Sequence, residues 1–279
     1  MSTRVRPSPL PAIFISHGTP MLALAEDEYT AALKQFAVSL PEKPKAIVVV
    51  SAHGTSETDL TEISVGNKCA LNYDFGGFPG ELYRLEYPCP GSPELSARIA
   101  ALLSDAGLST ALSSTARLDH GVWIPLRVAF PEATIPVVQV SMPYPTEPQT
   151  ILKMGKALST LREEGVLLIG SGGIVHNLEH LVWHGKGNTA ETWAVEFENW
   201  VKEKLVRKDV EGLLHFRDDA PHANLAHPTP EHFYPIFFTI GASLAGEQAF
   251  PIFEGFQYGS LSMLCFALKS PPGQNQIIH

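Results

Sequence analysis

The sequence predicts an α/β fold: one domain with a mostly parallel central sheet, helices on both faces, and a ligand site at the carboxyl ends of the strands. Three observations predict it. Continuous apolar runs at 13–16, 46–51 and 166–170 have the length and β-branched content of strands buried on both faces. Stretches with helical spacing alternate with them, the pattern of a parallel sheet with crossover helices. Five histidines (His17, His53, His120, His176 and His232) stand where an apolar run breaks into a glycine- or proline-marked turn. In open α/β sheets the strand carboxyl ends are where ligands bind.

The elements follow in order. Residues 24–40 repeat apolar positions at helical spacing until Pro41 and Pro44 end the helix. A short strand is expected at 62–65, and the aromatic, glycine-rich segment 73–79 reads as a loop. Ser92 is an N-cap with Pro93 behind it, opening a helix that runs to Ala106. A helix is expected over 122–130, a strand over 135–140 and a helix over 147–162, which Gly165 closes. Residues 189–207 form a long amphipathic helix, and 230–243 an apolar, buried one. The run 259–268 alternates as a closing strand, with room for an antiparallel strand at an edge. The whole of 1–279 reads as a single unit, with 1–10 as a flexible N-terminal segment.

Composition narrows the function. Hydrophobic residues make up 44% and charged residues 18%, ordinary for an enzyme with a large core. The net charge of -9, with no basic stripe, argues against nucleic acid as a partner. No run approaches a membrane span or a signal peptide, so the cytoplasm is the expected address and no membrane partner is expected. Cys69, Cys89 and Cys265 are odd in number and lack CxxC spacing, which predicts neither a disulfide framework nor a thiolate zinc knuckle.

Imidazole nitrogen suits iron, zinc, copper and nickel, and several imidazoles at one strand edge point to a transition-metal site. His17 and His53 follow two strands that a single crossover should make neighbours or near-neighbours. His176 follows a third through Ser171-Gly172-Gly173, a turn that admits close backbone approach. At 231–232, either Glu231 or His232 could complete a facial site of two histidines and a carboxylate. His120 fits an acid/base or supporting role, with Asp119 able to fix its tautomer, and equally an incidental position beside an N-cap. His180 and His184 read as rim or solvent residues, His215, His222 and His227 as residues of a polar stretch, and His279 as uninformative. HExxH, GxSxG, Walker A and GxGxxG patterns are absent.

Eight segments in order carry a resemblance to a known family: SHGTPM around His17, VVVSAHG around His53, DFGGFPGELY at 74–83, YPCPGSPELS at 87–96, DHGVWIPL at 119–126, GSGGIVHNL at 170–178, TPEHFYPIF at 229–237 and GSLSMLCF at 259–266. Together they resemble class III extradiol ring-cleavage dioxygenases of the LigB-type superfamily, in the 4,5-DOPA dioxygenase extradiol branch. The resemblance implies cleavage of a catechol-type ring beside its two hydroxyls, with O₂ and a small aromatic substrate as partners. It implies Fe(II) as the active metal, with Zn(II) able to occupy the same site. It places metal ligands at His17, His53 and His232, makes His176 an additional ligand or the active-site base, and sets His120 close to the metal as a second catalytic residue. Phe75, Phe78, Trp123 and Tyr234 are candidate pocket walls. Gly54 stands where members of that family carry a bulky aromatic residue, and Tyr73 where some members carry histidine. The alternatives are a zinc-dependent metallohydrolase on the same scaffold and a non-catalytic metal-binding interaction protein; a monomer or small homo-oligomer is expected.

Overall fold

The side chains of the central strands sort by parity, and this builds the molecule in layers. In the computed structural model, which describes residues 8–182 and 190–271, the first strand β1 (Ala12–Ser16) sends Ala12 and Phe14 to one face and Ile13 and Ile15 to the other. Both sets are buried, as alternation on a strand covered on two sides requires. After helix α1 (Glu28–Ser39), β2 (Ala46–Thr55) repeats the pattern, with Val48 and Val50 opposite Ile47 and Val49. Then come β3 (Thr61–Ser64), α2 (Pro93–Asp105), β4 (Thr110–Ser113), α3 (His120–Ala129), β5 (Val137–Met142), α4 (Pro148–Leu158) and β6 (Val166–Gly172). The last part holds α5 (Thr192–Arg207), the short helices α6 (Val210–Leu214), α7 (Phe216–Asp219) and α8 (Ala223–Ala226), and α9 (Pro235–Gly241). It ends with β7 (Gln248–Phe253), β8 (Phe256–Gln257), β9 (Leu261–Ser262) and β10 (Cys265–Lys269).

One eight-stranded sheet has the order β4-β3-β5-β2-β6-β1-β10-β7. Its centre, β5-β2-β6-β1, is parallel, so β1, β2 and β6 end on the same edge. β6 lies between β1 and β2, which makes them near-neighbours. α2, α4, α5 and α9 pack on one face, α1 and α3 on the other. Among the described residues no helix is long and apolar enough to cross a membrane.

Several boundaries differ from expectation for local reasons. The first helix begins at Glu28 because Asp27 and Thr30 form a capping box, and a 3-10 turn occupies Pro20–Leu24. The helix expected over 230–243 is confined to Pro235–Gly241, because Pro235 has no N–H to bond back to Glu231 and residues 230–234 make a separate turn. The strand expected over 259–268 divides. Leu261–Ser262 pairs with Phe256–Gln257, while Cys265–Lys269 runs antiparallel to β1, one place in from the edge. β7 covers that side, and β4 forms the opposite edge; neither is buried on both faces, so neither shows a continuous apolar run. Residues 1–7 of the expected flexible segment lie outside the described residues, as do Thr189, His184 and His279. Leu10 is buried, and its N–H bonds to the Arg162 carbonyl.

Candidate metal centre

Three strands and one turn deliver the site. His17 leaves β1 directly after Ser16, whose carbonyl accepts a hydrogen bond from the Tyr29 hydroxyl. His53 sits near the end of β2. His232 is carried by the turn before α9, and that turn can lie on β6 only because β6 has glycines there. A Cβ at Gly170 would stand 2.2 Å from the Pro235 carbonyl oxygen, and one at Gly172 would stand 2.2 Å from that of His232. The Gly173 N–H then bonds to the His232 carbonyl at 2.8 Å. The glycine cluster expected to approach a ligand instead receives the backbone that holds one of the histidines.

The Nε2 atoms of His17 and His232 each lie 3.2 Å from Nε2 of His53. Their opposite nitrogens are fixed. Ser171 Oγ donates its single proton to the Gly121 carbonyl, so at His17 Nδ1, 3.0 Å away, it can only accept. His17 therefore carries its proton on Nδ1 and turns a lone pair inward from Nε2. The Glu231 carboxylate accepts from Nδ1 of His232 at 2.9 Å, with the same result. His53 Nδ1 faces Asp74 Oδ2 at 3.7 Å. Burial, reinforced by the neighbouring imidazoles, pushes the pKa of His17 and His232 well below the usual value and that of His53 down to about 3.

Asp74 is shared. Its Oδ1 accepts the His120 backbone N–H at 3.0 Å and lies 3.1 Å from His120 Nδ1, off the direction of a hydrogen bond, so that this buried ring nitrogen is left without a partner. Burial works against its charge, yet the backbone N–H and charge of His120 and the charge of His53 hold its pKa below the usual carboxylate value. Asp119, wholly buried, accepts from Ser51 Oγ at 2.8 Å and Gln139 Nε2 at 2.7 Å, and burial raises its pKa to about 6.

Residues 11–254, which include all five histidines, match the family described as the catalytic LigB subunit of aromatic ring-opening dioxygenase. The chain belongs to this family. It is 40% identical over 255 residues to a 4,5-DOPA dioxygenase extradiol of Beta vulgaris, covering 89% of this chain and 92% of that one. It is 38% identical over 260 residues to the protein of that name from Escherichia coli K12, covering 91% and 93%. The crystal structure of an uncharacterized protein of Escherichia coli K12 superposes with a TM-score of 0.79 at 34% identity, over 93% of this chain and all of that one. A LigB-family chain is an extradiol ring-opening enzyme, and its fold is that of the solved neighbour.

In this LigB-family chain two groups of metal-capable side chains converge within 4.8 Å among the described residues: His17, His53 and His232, and His53, Asp74 and His120. His176 belongs to neither. Its ring stacks flat on His232, 3.5 Å between centroids and 3° between planes, with burial lowering its pKa to about 4. The choice left open at 231–232 resolves in placement: His232 faces the cluster and Glu231 stands behind it. Asp74 is the functional neighbour that the sequence reading passed over; its only local signal was an acidic residue heading an aromatic, glycine-rich loop. The other described histidines lie elsewhere. His180 packs on Trp193, His215 and His222 pair with Glu211 and Glu196, and His227 is buried against Phe197, Phe216 and Phe233.

The donor set fits a metal ion. His17 and His232 turn lone pairs toward His53 Nε2, 3.2 Å from each, and with the His53 proton on the Asp74 side all three nitrogens are free to bind one cation. Two imidazoles bound to one ion at about 2.0–2.1 Å are roughly 3.2–3.4 Å apart at near-tetrahedral angles.

Proposed function

We propose that this chain is a non-haem Fe(II) extradiol dioxygenase that opens a catechol-type, DOPA-like ring, with the metal held by His17, His53 and His232. The observation that carries the reading is the convergence of three Nε2 atoms whose opposite nitrogens face Ser171, Asp74 and Glu231. A facial triad of two histidines and a carboxylate with open positions is the arrangement of non-haem Fe(II) oxygenases; here a third imidazole takes the carboxylate's place, and Zn(II) is accepted by the same donors. Bound there, the ion supplies Lewis acidity toward two adjacent ring oxygens and a site for O₂.

The residues around it have separable tasks. His176 is the base rather than a fourth ligand: its ring lies flat on His232, outside the three-nitrogen group, and burial keeps it neutral with a free lone pair beside the metal centre. His120 stands against His53, 4.0 Å between ring centroids, with Asp74 accepting its backbone N–H and the Asp74 charge lying 3.1 Å from Nδ1. It is the second proton-handling or oxygen-facing group. Phe75, 5.6 Å from the His120 ring, supplies an apolar wall that limits water. The relatives in Beta vulgaris and Escherichia coli are named for DOPA, which supports a catecholic amino acid or a close analogue. A cytoplasmic address belongs to this reading, supported by the low cysteine content, three in 279 residues.

The test is anaerobic loading with Fe(II), followed by a panel of catechols including DOPA and then O₂. Oxygen uptake with a yellow ring-opened product is expected. His176→Gln should keep the metal and lose about 10²–10⁴-fold in turnover. Loss of metal in that variant would make His176 a ligand. Hydrolytic activity with zinc and no O₂ would replace the dioxygenase by a metallohydrolase.

A further inference from the structure

Cys69 and Cys89, far apart in sequence, meet at the base of the loop that walls the metal centre. Lys68 and Pro90 form an isolated antiparallel bridge, and the Cys69 N–H bonds to the Cys89 carbonyl at 3.2 Å. The two cysteines are therefore directly opposite one another, where Cα atoms stand about 5.5 Å apart. A disulfide accepts about 4.4–6.8 Å. The Cys69 thiol donates to the carbonyls of Pro90 and Val137, each at 3.4 Å, and the neighbouring Cys89 thiol lowers the Cys69 pKa. Cys69 lines a cavity of about 350 Å³ that also contains Lys68, Arg117, Ser114 and Thr115. A partly exposed thiol that opens on a cavity and has a second thiol opposite it is a setting in which a sulfenic acid can form and be resolved as a disulfide.

The chain between them, residues 70–88, carries Asp74, which touches both His53 and His120, and Phe75, which packs on His120. We infer that Cys69 and Cys89 are a hydroperoxide-responsive pair whose disulfide clasps the base of this loop. The Cys69 sulfur attacks the terminal peroxide oxygen. An S–O bond forms, the O–O bond breaks, and the departing oxygen leaves as water or an alcohol with the thiol proton. The Cys89 sulfur then attacks the sulfenic sulfur, and the hydroxyl leaves as water with the Cys89 proton. Two electrons pass from the thiols to the peroxide. The inference stands apart from the choice of metal and substrate.

Trypsin reads the clasp directly. Cleavage after Lys68, Arg84 and Arg98 places Cys69 in peptide 69–84 and Cys89 in peptide 85–98. The full-length, metal-free protein is treated with hydrogen peroxide, alkylated, digested without reductant and mapped. The expected result is a joined 69–84/85–98 pair about 2 Da lighter than the sum of its thiol forms, separated by dithiothreitol. Cys265 should stay reduced, since burial pushes its pKa up to about 12. Cys89→Ser should abolish the joined pair and leave Cys69 as a sulfenic acid captured by dimedone; Cys265→Ser should keep the pair. Separate peptides, with Cys69 unmodified or carried on to sulfinic acid beside a free Cys89, would overturn the inference, as would a Cys69–Cys265 link. The wild-type map decides the matter even if a variant fails to fold.

Discussion

Ser171→Ala removes one oxygen atom and tests how the metal centre is built. Ser171 and His17 are both buried, and Ser171 Oγ is the acceptor 3.0 Å from His17 Nδ1 because its own proton goes to Gly121. Without it the imidazole has two choices. It can keep the proton on Nδ1 as an unsatisfied buried donor, at a cost of about 1–3 kcal/mol. Or it can move the proton to Nε2, the nitrogen 3.2 Å from His53, and lose the inward lone pair. Either way the free energy comes out of the metal-binding form. Loss of such a partner weakens binding by about 10–100-fold.

The assay is a chelator competition for Zn(II) or Fe(II), run beside a thermal melt. Ser262→Ala is the control, since its equally buried hydroxyl bonds at 2.6 Å to Glu198, away from the histidines. That variant should lose stability while holding metal normally. If Ser171→Ala binds metal within about twofold of wild type, the tautomer argument is wrong and His17 is oriented by packing alone.

Two further outcomes follow from the same geometry. Gly121→Ala would place a methyl 2.7 Å from Ser51 Oγ and 2.9 Å from His17 Nδ1, so it should cost about 1–3 kcal/mol in urea unfolding and weaken metal binding; unchanged values would show the helix start can give way. The metal-free protein should lose stability as pH falls from about 6.5 toward 3. His227 is fully buried with its pKa lowered to about 3, so the unfolded chain takes up a proton that the native chain refuses. Each such group costs about 1.4 kcal/mol per pH unit inside that window. Asp119, raised to about 6, and Glu198, raised by burial, work in the opposite direction but are two groups against His227, His53, His176, His17 and His232. Urea midpoints measured at several pH values between 7 and 5 check the sign, and a flat profile would refute it.

The strands at 13–16, 46–51 and 166–170 were legible because burial on both faces writes an unbroken apolar run, and the histidines after them stood out against it. The edge strands β4 and β7 were not, because half-exposed residues and Pro251 break that signal. His232 was ambiguous with Glu231 for a specific reason. The segment was expected to be helical, whereas it is a turn that sends adjacent side chains to opposite sides of one bond, His232 inward and Glu231 behind it. Asp74 could not be ranked from sequence at all. Its partners are His53 and His120, and only the folded loop brings an acidic residue of a glycine-rich segment between them.

Gly54 and Tyr73 both bear on the residues around His53 and His120. A Cβ at Gly54 would stand 2.6 Å from Gln139 Nε2 and 3.3 Å from Asp119 Oδ2, so the space beside His53 is taken by the amide that holds Asp119. A bulky side chain at 54 requires that amide to move. The absence of an aromatic residue there and the Gln139–Asp119–Ser51 network are therefore one solution rather than two features. Tyr73 does not replace a histidine as proton donor, because its hydroxyl donates to the Leu85 carbonyl at 2.6 Å while its ring packs on Trp123 and Phe75. It stiffens the loop instead. The aromatic wall beside the metal centre in this chain thus falls to Phe75, on the same loop that carries Asp74, so the loop sets both the shape of the substrate space and the charge beside His53 and His120.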